Sequence, residues 1–297
     1  TISNANSLWI QYFYSYLNNT GRAGFVMASS ASDAGNKDKD IRQKLVESGH
    51  VDVMMSIGPK FFYTRSLPCT LWFFDKGKPQ DLQDQVLMID ARNVYHVVSA
   101  RSHVFTDEQL ANLNAIVWLY RGEREKFIAL VARYQRQVDN WLAAIPARIQ
   151  ADTAAVQALA VPLQAFASQA TLAELNADQA EDAQISQAQL DAFKAELAAA
   201  QADTHVADSI AALLTACTQS RAAIAQVDLS DHAAQVALQA TLDALGPQLK
   251  ATGKLLEARH KHWLKCFDTA DKTLRARQSK AWDGKAAREA RRALVSQ

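Results

Sequence analysis

Residues 51–74 read VDVMMSIGPKFFYTRSLPCTLWFF, and the fold prediction starts from their pattern. It holds two apolar runs of strand length, residues 51–58 and 69–74, on either side of a loop. Short apolar runs bounded by glycine and proline favour strands. The stretch therefore predicts two strands, with one aromatic group in the loop (FFY, 61–63) and a second at the end of the following strand (WFF, 72–74).

The flanking sequence supplies further strands and helices. GFVMA at residues 24–28 and VLMID at residues 86–90 are predicted strands, and residues 37–49 form a helix with one apolar stripe. Residues 7–17, SLWIQYFYSYL, are apolar around nearly the whole helical circumference, which predicts a buried helix. This order is typical of an α/β fold: an open twisted sheet with helices on its faces, whose functional loops lie at the strand ends.

Glycine usage and charge divide the chain. Seven of the ten glycines fall at or before Gly122, whereas 31 of the hundred residues 150–249 are alanine. The net charge is about +3 for residues 1–149, about −10 for residues 150–249 and about +8 for residues 250–297. The first part is therefore predicted to be α/β and the second all-helical, so binding partners must be judged region by region.

Helix signals continue through the second part. Thr106 with Gln109 and Ser186 with Gln189 form capping boxes, and Ser230 is a further start signal. Prolines predict interruptions of the helical pattern at Pro146, Pro162 and Gly246–Pro247. We expect several long helices in hairpins that pack on one another or on another subunit.

Composition excludes some classes of protein. The sequence has no apolar run of bilayer-spanning length and no export signal, which predicts a cytoplasmic protein with no membrane contact. The first residue is Thr1 rather than methionine, so we expect the chain to be a piece of a longer protein. Widely spaced cysteines are predicted to be packing residues in a reducing compartment: Cys69, Cys217 and Cys266.

Several segments together resemble a known family. They are NANSLWIQYFYSYL, GRAGFVM, ASDAGNKDKDIRQKLVESGHVDVMMSIG, FFYTRSLPCTLWFFDKGK, VLMIDARNVYH and IVWLYRGE, in this order over about residues 1–125. The chain resembles the modification (M) subunits of type I restriction-modification systems, which are adenine-specific DNA methyltransferases. The resemblance implies that residues 1–122 are the second half of a Rossmann-like methyltransferase sheet. Residues 123–297 would then be a helical-hairpin region for subunit assembly and possible DNA contact.

Two motifs of that family are absent from this sequence. The family binds S-adenosyl-L-methionine with an FxGxG-type loop and carries an Asn-Pro-Pro-aromatic catalytic motif, but no two prolines here are adjacent. Both motifs would lie upstream of Thr1 in a complete subunit. The resemblance therefore implies a cofactor site mostly outside this chain, no catalytic residue within it, and no methylation by the chain alone.

The aromatic loop is the part of the chain for which the resemblance implies a role. Adenine methylation requires a base that is flipped out of the duplex and stacked on aromatic side chains. By its position in the family pattern Phe62 would stack on the target base, with Tyr63 as the alternative and Phe61 pointing into the core. Packing of all three aromatic rings in the core is the alternative interpretation. Lys60 and Arg65 could contact DNA phosphates, and solvated loop charges are the alternative reading.

Other residues are predicted to be structural. Phe73 and Phe74 are expected in the core, with Trp72 alternating to the other face of the strand. His260 and His262 are expected on a solvated helical face, and no metal site is predicted.

The resemblance also implies partners: double-stranded DNA, a specificity subunit, a second M subunit and a restriction subunit. The basic stretch 250–297 could contact DNA or the specificity subunit, and its packing as an ordinary helix is an equal alternative. Two competing functions remain from the sequence: a non-catalytic assembly protein on DNA, and an unrelated α/β binding domain.

Overall fold

A computed structural model of the chain describes residues 5–35, 37–62, 65–177, 179–202 and 204–297. The chain divides into two compact units, residues 1–130 and residues 131–297. None of the helices in these described ranges is both long and apolar enough to cross a membrane.

The first unit mixes helices and strands, and the four strands predicted from the sequence are present as β1 to β4. In chain order its elements are α1 (Ala5–Ser15), β1 (Arg22–Ala28), α2 (Ser30–Asp33), α3 (Lys37–Glu47), β2 (Val51–Ile57), β3 (Cys69–Asp75), β4 (Leu87–Ala91), β5 (His96–Ser99), β6 (Ser102–Val104) and α4 (Asp107–Tyr120). The predicted capping box starts α4, since the Thr106 side chain accepts from the Gln109 N–H and the Gln109 side chain accepts from the Thr106 N–H.

The main sheet has the strand order β1-β3-β2-β4. Strand β3 is antiparallel to both neighbours, and β2 is parallel to β4. The carboxyl ends of β1, β2 and β4 therefore meet the start of β3 at one edge of the sheet. The loop from β2 to β3 lies at this edge, while β5 and β6 form a separate two-stranded sheet.

Both faces of the main sheet are covered, which corrects one prediction. Trp72 and Phe74 are each 1% exposed and lie in the same apolar cluster with Ile10 and Met54. Phe73 packs in the cluster on the opposite face. Side chains along β3 do alternate between the two faces of the sheet. Trp72 shares a face with Phe74, because residues i and i+2 point the same way, and Phe73 points to the other face.

Helix α1 is not buried around its circumference as the sequence predicted. Ile10 is 2% exposed and Tyr14 packs against the same cluster, with its hydroxyl 2.7 Å from His50 Nδ1. The opposite side carries large exposed side chains: Leu8, Trp9, Tyr12, Phe13 and Tyr16. Within the described residues α1 therefore has one packed face and one exposed aromatic face.

The second unit is helical, as predicted. Its elements are α5 (Arg124–Gln169), which begins in the first unit, α6 (Leu172–Leu175), α7 (Gln187–Gln201), α8 (Thr204–Gln226), α9 (His232–Asp268), a π-helical turn (Thr269–Thr273) and α10 (Gly284–Val295). The predicted capping box of Ser186 and Gln189 starts α7. Asp231, one residue after the predicted Ser230, caps α9.

The prolines do not interrupt the helices, so that prediction was wrong. Pro146 and Pro162 lie inside α5, and Pro247 lies inside α9. A proline inside a helix loses one backbone donor, at a cost of about 3 kcal/mol. Burial of Leu142 and Leu163 on the packed side of α5 offsets that cost, since both are 1% exposed or less.

His260 of α9 is not on a solvated face as the sequence predicted, whereas the side chain of His262 is 37% exposed. Arg259 and His260 both contact the Asp152 carboxylate of α5, and the side chains of all three are less than one-fifth exposed. Arg259 and His260 therefore connect α9 to α5 within the unit. The local sequence pattern could not predict these contacts, because Asp152 is about a hundred residues away in the chain.

Candidate functional site

The loop of residues 58–68 starts from a rigid base. A Cβ on Gly58 would lie 2.4 Å from the Arg92 carbonyl oxygen, so only glycine fits at this position. Lys60 adopts a left-handed backbone with φ 74°, which is uncommon for a residue other than glycine. Its carbonyl oxygen accepts a hydrogen bond from the His103 N–H at 2.9 Å. The loop is therefore held against the β5–β6 hairpin.

Phe61 anchors the loop from inside, as predicted. Its ring lies 4.7 Å from the ring of Phe105 and 6.3 Å from that of His103, measured between centroids. The His103 ring in turn stacks on Tyr95 at 4.1 Å with an interplanar angle of 3°. These contacts fix the backbone immediately before the next residue, Phe62.

Phe62 and Arg65 lie side by side on the other side of the loop. The Arg65 N–H donates to the Phe62 carbonyl oxygen at 3.4 Å, and the Phe62 side chain remains 44% exposed. Both line a pocket of about 270 Å³ at the edge where β1 ends and β3 begins. Among the described residues the lining is Val26, Met27, Ala28, Phe62, Arg65, Leu67, Pro68 and Cys69.

The other predicted site residues are placed differently. Tyr63, the alternative stacking residue, lies outside the described residues. Lys60 is half-buried and does not line the pocket, so among the described residues Arg65 alone brings a cation to it. The sequence did not identify Met27, Leu67 and Cys69 as pocket residues. Their position follows from the strand register that pairs Ala28 with Cys69, and the sequence alone does not specify that register.

The chemistry of the pocket favours binding over acid–base catalysis. Its described lining contains no carboxylate and no histidine. Burial raises the pKa of the Cys69 thiol, so the thiolate needed for nucleophilic attack is disfavoured. Apolar walls, one aromatic face and one guanidinium suit a flat ring that carries an anionic group nearby.

Buried charges lie at the opposite edge of the sheet. Arg22 pairs with the buried Asp75 at 2.7 Å, and Arg121 pairs with the buried Asp52. Lys78 is 4% exposed and donates to the Val51 carbonyl oxygen at 2.9 Å, and burial is the main cause that lowers its pKa. Because these groups sit at the far ends of β1, β2 and β3, they stabilise the fold and take no part in the pocket.

The first part of the chain matches a known protein family. Residues 1–148 match the family described as N-6 DNA Methylase. The MjaIX methylase subunit, a type I restriction enzyme subunit of Methanocaldococcus jannaschii, is 40% identical over 110 residues, which are 37% of this chain and 20% of that protein. The MjaVIII methylase subunit of the same organism is 26% identical over 113 residues, 37% of this chain and 19% of its own length. The chain thus spans about a fifth of the length of these relatives.

Solved structures give a weaker likeness. The type I restriction-modification methyltransferase subunit of Streptococcus thermophilus is 22% identical over 39% of this chain and 24% of its own, with a TM-score of 0.36. The EcoKI M protein is 24% identical over 36% of this chain and 23% of its own, with a TM-score of 0.31. Residues 1–148, just under half of the chain, therefore match the N-6 DNA methylase family, and the curated relatives of this part are methylase subunits of type I restriction enzymes.

Proposed function

We propose that this chain is part of an adenine-specific DNA methyltransferase of a type I restriction-modification system. The complete subunit would transfer a methyl group from S-adenosyl-L-methionine to N6 of an adenine flipped out of double-stranded DNA. The observation that carries the proposal is the half-exposed Phe62 ring on an apolar pocket, within a stretch that belongs to the N-6 DNA methylase family.

We further propose that residues 1–122 are the second half of a Rossmann-like catalytic sheet. Two exposed features support this. Among the described residues β1 pairs only with β3, which leaves its other edge open, and α1 presents an exposed aromatic face that includes Trp9 and Tyr12. An open strand edge and a large aromatic face are unfavourable in water, so both favour a covering element from a larger domain.

Phe62 is assigned to stacking on the target base. A flipped base exchanges its neighbours in the duplex for side-chain contacts, and stacking on an aromatic ring contributes about 1–3 kcal/mol. The rigid base of the loop, with Gly58 against Arg92 and Phe61 against Phe105, favours this role because a fixed ring loses little entropy on binding. Phe62 would form one wall of the base site, and the opposite wall would come from outside this chain.

Arg65 is assigned to a DNA phosphate beside the flipped nucleotide. Its guanidinium side chain lines the same pocket as Phe62 and has no ion-pair partner among the described residues. Lys60, which lies outside the pocket lining, would contribute at most a longer-range contact to the DNA backbone. Tyr63 stays the alternative stacking residue.

The helices of residues 123–297 are assigned to subunit assembly. The partners would be the specificity subunit, a second M subunit and the restriction subunit, with the basic stretch 250–297 facing either protein or DNA. The alternating charge of the chain supports separate partners for the acidic helices and the basic end.

The test is Phe62→Ala in the complete subunit assembled with its specificity subunit. We expect methyl transfer from labelled cofactor to fall by about 10- to 100-fold, the equivalent of the lost stacking, while the dissociation constant of S-adenosyl-L-methionine stays within about twofold. Phe62→Trp should retain most activity, because it keeps an aromatic face. Val98→Ala, at an exposed position of β5, is the matched control.

Two outcomes would contradict the proposal. Unchanged methylation in Phe62→Ala would remove Phe62 from the base site. No methylation by the complete wild-type assembly would instead favour the non-catalytic assembly protein.

A further inference from the structure

A second cluster of chemically active side chains lies in the helical unit, far along the chain from the pocket. Glu196 of α7 meets His262 and Cys266 of α9, and their carboxylate, imidazole and thiol ligand atoms lie within 4.8 Å of one another. The Nε2 atom of His262 is 3.8 Å from Oε1 of Glu196. The proposed function gives these residues no task.

The fold explains why these three side chains meet. His262 and Cys266 are four residues apart on α9 and so project from the same helical face. Helix α7 packs on that face, since Phe193 and Leu197 share one buried cluster with Cys266. The Cys266 side chain is fully buried at the floor of the cluster. The side chains of His262 and Glu196 are 37% and 26% exposed and form its rim.

We propose that Glu196, His262 and Cys266 bind a divalent transition-metal ion of the zinc class. Imidazole nitrogen, thiolate sulfur and carboxylate oxygen are each zinc ligands, and three protein ligands leave a fourth position for water. Tetrahedral bonds of about 2.0–2.3 Å place neighbouring ligand atoms about 3.3–3.8 Å apart. The three ligand atoms therefore have to approach one another by no more than about 1.5 Å.

The ligand set also selects against other cations. Magnesium and calcium require six or more oxygen ligands, and this cluster offers oxygen from a single carboxylate. A thiolate with an imidazole favours zinc and its neighbours among the transition metals.

A lysine now neutralises the acidic ligand. Lys265 Nζ lies 2.6 Å from Glu196 Oε1, and the Lys265 side chain is 69% exposed. Such an exposed ion pair contributes little stability, so a metal ion can take the place of Lys265 while that side chain turns to solvent. The lysine therefore competes with the metal, and its removal should strengthen metal binding.

The thiol of Cys266 has to lose its proton when a metal binds. Burial raises the pKa of Cys266 to about 11, so the thiol carries its proton at neutral pH. Only the thiolate is a ligand, so the proton leaves the sulfur as the metal–sulfur bond forms.

Cobalt(II) is the probe, titrated into the full chain under reducing conditions and followed by its sulfur-to-cobalt charge-transfer absorption. We expect one ion per chain, displacement by zinc(II), and loss of the band in Cys266→Ala. His262→Ala and Glu196→Gln should weaken binding by about 10- to 100-fold. Lys265→Gln should strengthen it by about threefold or more.

Matched controls separate this site from adventitious binding. Cys217 of α8 is also a buried free cysteine, and His232 is an exposed histidine at the start of α9. Cys217→Ala and His232→Ala should leave the titration unchanged. His262 lies at the rim of the cluster, so His262→Ala should leave the helices folded. If this variant loses metal binding while its helical circular dichroism is unchanged, unfolding is not the cause.

The proposal is overturned if the wild-type chain shows no charge-transfer band at stoichiometric cobalt. It is equally overturned if the band persists in both Cys266→Ala and His262→Ala. Neither result bears on methyl transfer, which Phe62→Ala tests independently.

Discussion

The two units of this chain use different means to hold their side chains in place. In residues 1–130 the sheet and its glycine-bounded loops fix positions through backbone geometry, as at Gly58 and Lys60. In residues 131–297 long alanine-rich helices leave the task to a few large side chains, such as Phe166 and Trp263. Side-chain positions therefore depend mainly on local backbone geometry in the first unit and on the packing between helices in the second.

We expect the greatest loss of stability from a substitution in the core of the helical unit. Phe166 is 0% exposed, and its ring lies 5.7 Å from those of Phe193 and Trp282. Phe166→Ala should lower the free energy of unfolding of this unit by about 4 kcal/mol through lost burial and a cavity. Hydrogen exchange followed by mass spectrometry should show faster exchange in α7 and α9 but not in β2 and β3.

Val161→Ala on the same helix is the control, because Val161 is 55% exposed. It should change stability by less than about 0.5 kcal/mol. Equal acceleration of exchange in β2 and β3 by Phe166→Ala would contradict two separate cores.

Gly58→Ala tests the backbone geometry of the sheet unit. A methyl group on Gly58 would meet the Arg92 carbonyl oxygen at 2.4 Å, so Gly58→Ala has to move the loop or the strand. We expect a loss of about 3 kcal/mol, measured by chemical denaturation with hydrogen exchange of β2 and β4.

Gly35→Ala is the matched control for Gly58→Ala. Apart from Gly35 and its chain neighbours, the described part of the chain has no atom within 4 Å of the added Cβ, so stability should stay the same or rise slightly. If both substitutions have equal effects, the close approach at Gly58 is not what fixes the loop.

A capping box occurs in both units, and we expect its loss to have a smaller effect than either core substitution. Thr106 and Ser186 each accept a hydrogen bond from the N–H three residues later, at the start of α4 and of α7. Thr106→Ala and Ser186→Ala should each cost about 1 kcal/mol, measured by denaturation and local exchange. Replacement by Asp, which also caps, should restore most of the loss in both, whereas a loss that Asp does not restore would argue against the cap as its cause.

Much of the first unit could be predicted because its signals are local. The four strands of the main sheet follow from short apolar runs, and the start of α4 follows from its capping box. The aromatic face of α1 could not be predicted as exposed, since periodicity reports apolar residues but not what covers them. The continuous helices through Pro146 and Pro247 were missed for a similar reason, because packing outweighed the local preference.

The candidate sites divide in the same way. Residues 58–68 could be singled out as a loop between strands, and the family resemblance pointed to Phe62. The pocket required the pairing of β1 with β3, which brings Met27 and Cys69 together from positions 42 residues apart. The cluster of Glu196 with Cys266 depended on the packing of α7 on α9, although His262 and Cys266 already had a spacing that metal sites use.

Local sequence was enough to predict the α/β and helical halves, the strand positions, the capped helix starts and the resemblance of residues 1–148 to one family. These properties depend on neighbouring residues, whose steric and hydrogen-bonding preferences act over a few positions. The pocket that Phe62 and Arg65 share, and the choice of helix faces that are covered, required the folded unit. Such contacts join residues distant in the chain, and hydrophobic burial, which is not directional, selects them only when the whole unit has folded.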